Sequence, residues 1–188
     1  MGNNIYVNDN GLITDIYSKL FEDRIVFLTT EINPESANLI KSQLLYLDQQ
    51  SNKPIKLYID SSGGEVYTCM GIIDTMNYIN SPVTTVNIGL CASMAAIILC
   101  NGSVRKSLPN SRVLIHQPSG GRFGPSDDIE IASNELVKVK KVLFDILSKK
   151  TGKPFSEVIL DAQRDKWLSA KKSLKYGLID EIIKTKNQ

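Results

Sequence analysis

The chain contains one histidine, His116, at the end of the apolar run Arg112-Val113-Leu114-Ile115. Any reaction that needs a base near neutral pH has this one imidazole to use. Upstream lies Gly89-Leu90-Cys91-Ala92-Ser93-Met94-Ala95-Ala96, where a strand-like pattern gives way to a helical one. A serine among small residues, an imidazole and an orienting carboxylate together make an activated nucleophile. Asp165 is a candidate for the third group, but the chain has 20 Asp and Glu residues and spacing does not select among them.

Each of these residues also has an ordinary structural role open to it. Ser93 can simply cap a helix. Its functional reading draws on Ala92, Ala95 and Ala96, which leave space around the hydroxyl, and on the unpaired N–H groups of a helix start. His116 can be a half-buried histidine, yet strand C-terminal ends are where sites gather in α/β sheets. The turn Ser61-Ser62-Gly63-Gly64 admits three readings: a phosphate cradle, a pair of amides aimed at an oxyanion, or a tight turn. It lacks the spacing of either nucleotide-binding glycine motif. Asp165, flanked by Arg164 and Lys166, reads by itself as a solvated surface pair.

The elements that must position these residues follow from periodicity. Residues 1–13 read as a flexible arm and 14–21 as a short helix. Strands are expected at 24–28, 55–59, 83–88 and 113–116. Helices are expected at 34–50, 65–78, 93–99 and 126–149, the first capped by Asn33 ahead of Pro34. Ser156 is expected to cap a further helix, and Gly177 to end a last one. Residues 117–125 read as an exposed extended loop. Strands alternating with helices through short turns define an α/β class with parallel pairing.

Composition narrows the rest. The 188 residues fit a single domain spanning 1–188, with 22% charged residues and a net charge of +2. Scattered lysines argue against nucleic acid. No apolar run reaches membrane-span length, and the N-terminus lacks the pattern of a signal peptide. Cys69, Cys91 and Cys100 lack metal-ligand spacing and read as free buried thiols of a cytoplasmic protein. No metal and no cofactor are expected.

At this point the residues resemble a known family, the proteolytic subunit of the Clp protease (ClpP). The matching segments include Asp15-Ile16-Tyr17-Ser18, Leu57-Tyr58-Ile59-Asp60-Ser61-Ser62-Gly63-Gly64, Cys91-Ala92-Ser93-Met94-Ala95, Ile115-His116-Gln117-Pro118, Arg164-Asp165 and Tyr176-Gly177-Leu178-Ile179-Asp180. They run in family order over nearly the whole chain. The resemblance implies a ClpP/crotonase-like β-β-α superhelix, a compact head with a projecting handle over 117–149. It implies a Ser93–His116–Asp165 triad and an oxyanion hole from the Gly64 and Met94 amides, and so selects the acid that spacing leaves open. It implies that Gly120, Gly121, Arg122 and Phe123 pair with an extended substrate strand.

The implied activity is a serine endopeptidase acting on unfolded polypeptides. The implied assembly is a homo-oligomer of two stacked heptameric rings, fed by an AAA+ unfoldase of the ClpX, ClpA or ClpC type. The unfoldase would dock in a groove at Tyr58 and Tyr78, Arg164 would belong to ring-to-ring contacts, and the N-terminal arm would line the axial pore. Three departures stand out: Ser62 where the family has proline, Arg122 where a small residue is common, and an arm poor in charge. Two competing readings are a crotonase-type acyl-CoA enzyme, disfavoured by the lone Ser-His pair, and a non-catalytic ring subunit, disfavoured by the intact triad.

Overall fold

A computed structural model describes residues 5–9 and 12–184 of the chain. Nine strands and seven helices alternate along these residues. A hairpin, β1 (Tyr6–Asp9) and β2 (Leu12–Asp15), precedes helix α1 (Ile16–Glu22). The arm expected over 1–13 is thus partly a paired strand, and the short helix starts at Ile16, after the Asp15 carboxylate has capped it through the amides of Tyr17 and Ser18. Residues 1–4, 10 and 11 of that arm lie outside the described residues.

The sheet proper has seven strands. β3 (Ile25–Leu28), β4 (Ile55–Ser61), β5 (Val83–Ala92) and β6 (Val104–Ser107) pair in parallel in that order, and β9 (Glu181–Ile182) adds to β6. β5 is longer than the apolar pattern predicts and, besides β4, serves two further neighbours. Its first half pairs with β6, whereas Leu90–Ala92 pair with β7 (Arg112–Ile115). The change of partner follows a register shift against β4 between Ile59 and Ser61. β7 then pairs antiparallel with β8 (Lys166–Ser169).

Helices supply the crossovers. α2 (Pro34–Gln50) buries Ala37, Ile40, Leu44 and Leu47, and Asn33 and Ser36 close a reciprocal cap at its start. The end of α2 and the segment after it are gathered by Arg24, whose guanidinium donates to Leu47 O at 2.8 Å, Ser51 O at 3.0 Å and Lys53 O at 2.8 Å. α3 (Val66–Tyr78) follows the glycine turn, and α4 (Met94–Asn101) is buried along its whole length. α5 (Ser126–Thr151) opens with Asp127 and Asp128 and closes with Lys149 and Lys150, matching the helix dipole, before Gly152 stops it at φ 73°. It buries only Leu143, Phe144 and Leu147, all in its last three turns, so its first half stands clear of the core. α6 (Phe155–Asp161) is preceded by Pro154; Ser156 lies inside it and is not its cap. α7 (Ala170–Tyr176) is capped by Ser169 and ended by Gly177 at φ 90°.

The three cysteines are all buried and free. Burial pushes the Cys69 and Cys100 thiols up to about 12 and Cys91 well above its ordinary range. No helix among the described residues is long and apolar enough to cross a membrane. No group of His, Cys, Asp or Glu among them is arranged to hold a metal ion.

Candidate active site

Ser93 sits at the junction of β5 and α4 with φ 55° and ψ −125°, a backbone conformation that side-chain-bearing residues rarely adopt. Two neighbours hold it there. Its amide donates to Leu114 O at 2.9 Å, which locks it to β7 two residues before His116. Gly63 presses on it from the other side: a Cβ built on Gly63 would meet Ala92 O at 2.6 Å, Ser93 Cβ at 2.9 Å and the Met94 amide at 3.0 Å. The Ser93 side chain makes no cap hydrogen bond to α4 and stays available. The helix-capping role open to Ser93 in the sequence is therefore not the one it plays.

The turn beside it is equally determined. Gly64 has φ 157°, and a Cβ there would lie 2.0 Å from Ile32 O. Ile32 and Gly64 form a parallel bridge, but its bonds run from the Ile32 amide to Gly63 O and from the Glu65 amide to Ile32 O. The Gly64 amide is skipped. The Met94 amide, at the first position of α4, also has no intrahelical partner. Two N–H groups are thus left unspent around Ser93. Ser61 clasps the turn: its hydroxyl donates to Thr30 O at 2.6 Å and accepts from the Gly63 amide at 3.1 Å. That clasp ties down the turn on either side of Ser62.

His116 follows the last residue of β7 and is half-buried. It lines one small cleft with Ser93, walled by the apolar side chains of Val66, Ile97, Leu143 and Phe144. The β7–β8 ladder ends where Ile115 pairs with Lys166, the residues next to His116 and Asp165. The approach is tied by the Gln117 amide, which donates to Ala162 O at 2.7 Å, and by the Gln117 side chain, which donates to Gln163 O at 3.1 Å. No hydrogen bond joins the side chains of Ser93, His116 and Asp165 among the described residues. Catalytic hydrogen bonds in unliganded sites are often long and tighten with substrate.

Behind Asp165 stands a group the sequence did not single out. Lys166 pairs with Asp161, Lys153 pairs with Glu157, and both ammonium groups lie over the Tyr176 ring, at 5.3 and 4.9 Å from its centroid. Partial burial is the largest single influence on Asp161 and works against its charged form, but the hydrogen bond and charge of Lys166, with its other neighbours, together outweigh it and the pKa is lowered. This cluster fixes the first residue of β8, next to Asp165. Lys153, Lys166 and Tyr176 are well separated in the chain, and no local spacing marks the cluster in the sequence.

The remaining candidates are scattered. Loop 117–125 forms no regular element; Arg122 pairs with Asp128 at 3.2 Å, and Phe123 is wholly exposed. Tyr58 stacks on Phe27 at 5.6 Å, whereas Tyr78 projects from the end of α3 at 81% exposure, with no ring contact joining the two. Arg164 is exposed.

A mostly parallel sheet brings a strained serine, Met94 and an imidazole to one cleft, with the free Gly64 amide in the turn nearby, in a protein of the α/β class; such a grouping suits acyl chemistry. Residues 8–186 match the family model for Clp protease. The chain is 48% identical over 172 residues to an ATP-dependent Clp protease proteolytic subunit of Porphyromonas gingivalis, covering 90% of this chain and 78% of that one. It is 46% identical over 176 residues to the proteolytic subunit 1 of Salinibacter ruber, covering 92% and 76%, and 46% identical to the subunit of Bacteroides fragilis, covering 90% and 83%. The chain belongs to the Clp protease family and is a peptidase.

Proposed function

We propose that the chain is a serine endopeptidase in which Ser93 is the nucleophile, His116 its base and Asp165 the group that orients the imidazole. The observation that carries this reading is the strained Ser93 beside the unspent Gly64 and Met94 amides, in one cleft with His116. His116 takes the hydroxyl proton as Ser93 Oγ attacks the scissile carbonyl. The carbonyl oxygen gains charge and accepts from the two amides. His116 then protonates the leaving amine, and water, deprotonated by the same imidazole, hydrolyses the acyl-enzyme. Val66, Ile97, Leu143 and Phe144 make the adjoining wall apolar, which fits an apolar side chain at the scissile residue.

The relatives are ATP-dependent proteolytic subunits, and we extend that to this chain. Its substrates are unfolded polypeptides delivered by an AAA+ ATPase of the ClpX, ClpA or ClpC type, and its working form is a homo-oligomer of stacked heptameric rings. The first half of α5 and the loop before it, uncovered in the single chain, supply surface for that assembly, and so does Arg164. Tyr58 and Tyr78 contribute to a docking groove completed by a neighbouring subunit. Gly120 to Phe123 run alongside the substrate.

The test is a serine-directed peptide phosphonate together with a fluorogenic peptide assay. Wild type labels and cleaves; Ser93→Ala does neither while keeping its thermal transition. Equal labelling of the two proteins ends this reading.

A further inference from the structure

A second groove continues from the catalytic cleft. Val66 lines both, and the loop passes from Pro118 in the cleft to Gly120 and Arg122 in the groove. Its floor is apolar, made by Ile129, Leu136 and Val139 of α5. A polypeptide held with its carbonyl at Ser93 and extended along the loop therefore leads a side chain into this space.

The rim carries a charge imbalance. Glu65 and Glu135 face the groove from α3 and α5. Tyr67, also on the rim, donates its hydroxyl to Glu135 Oε1 at 3.0 Å and so bridges the start of α3 to α5. That carboxylate raises the Tyr67 pKa, which keeps the hydroxyl a donor. Glu65 accepts from the Thr68 hydroxyl at 3.0 Å, and each carboxylate retains free acceptor sites. Of the nearby cations, Arg122 is engaged by Asp128 at 3.2 Å, and Lys138 lies 3.6 Å from Glu135 with its side chain 73% exposed. An apolar floor under two carboxylates suits a long aliphatic stem with a cationic head.

We propose that Tyr67 and Glu135 form a specificity subsite, outside the one beside Ser93, that takes a lysine or arginine side chain of the bound polypeptide. This rests on the reading of Ser93 as nucleophile. Tyr67 holds the Glu135 carboxylate toward the groove, and the substrate ammonium or guanidinium donates to it.

The test uses the assembled protein and fluorogenic peptides that differ at one residue, Lys, Ala or Glu, scanned outward from the scissile bond. At one position the wild type is expected to favour Lys over Ala in kcat/KM by roughly threefold to fivefold, the scale of a partly exposed ion pair. Glu135→Gln is expected to bring that ratio to about one, and Glu135→Lys to place the Glu peptide above the Lys peptide. Tyr67→Phe is expected to reduce the ratio partway. A Lys-to-Ala ratio in Glu135→Gln equal to that of wild type overturns the proposal, including the case in which both peptides slow together. Native mass is measured alongside. A changed assembly with an unaltered ratio assigns the groove to a second copy of the chain and also overturns it. Cleavage that survives Ser93→Ala is a separate failure, of the nucleophile rather than of the subsite.

Discussion

The turn around Ser93 and the loop 117–125 border the same cleft and are held in opposite ways. Around Ser93 the backbone is fixed from every side: by Leu114 O, by Gly63 in van der Waals contact, by Gly64 against Ile32 and by the Ser61 clasp. No side chain can be added at either glycine. The loop is anchored at Gln117 and again by Arg122 on Asp128, and between them a Cβ on Gly121 would touch nothing within 4 Å. The difference matches the two tasks proposed for these regions. Groups that must meet a developing charge need placement to a fraction of an ångström, whereas a strand-pairing edge has to accept many sequences.

Four measurements would break or sharpen this contrast. Ser93→Ala should lower peptide turnover by about 10⁴-fold or more with little change in melting temperature. Gly64→Ala drives a methyl into Ile32 O and moves one amide, so kcat should fall by roughly 10²–10³-fold; a variant with near-normal kcat would show that the turn is less constrained than its geometry implies. Third, Phe144, buried where α5 meets the head, and Phe123, exposed on the loop, should separate cleanly in unfolding experiments. Phe144→Ala should cost about 3–5 kcal/mol and Phe123→Ala less than about 0.5 kcal/mol.

The smallest effect concerns acid. The hydrogen bond from Arg105 lowers the Asp180 pKa, and Lys166 lowers that of Asp161 despite partial burial. A carboxylate with a depressed folded-state pKa stabilises the fold above its unfolded value, near 3.9, and loses that contribution as pH falls through the depressed one. The melting temperature should therefore change little through these groups between pH 7 and 5 and drop below about pH 4. Asp180→Asn should flatten the drop.

How much of this could be read beforehand varies along the chain for physical reasons. α2 was legible because Ala37, Ile40, Leu44 and Leu47 repeat at helical spacing behind an Asn–Pro start. Ser93 and His116 were legible as a pair because both sit where apolar runs end. Asp165 was not, since its place depends on β8 folding back on β7 from about fifty residues away, and a four-residue strand carries little periodicity. β6 and β9 escaped for the same reason. The β1–β2 hairpin had a local signal that the polar composition masked: Asn10-Gly11 is the dipeptide that most favours a two-residue connection. The roles of Ser61 and Gly63 were invisible because they arise from contacts with Thr30 and Ser93 across strands.

The depth of the three cysteines bears on how this protein can be studied. Reactivity toward alkylating agents tracks the thiolate fraction and access, and burial suppresses both here. Serine-directed phosphonates and similar warheads should therefore find one nucleophile, even though Cys91 is two positions from Ser93 in the chain. A single adduct per subunit by intact-mass spectrometry then counts working sites directly, without a cysteine-free background.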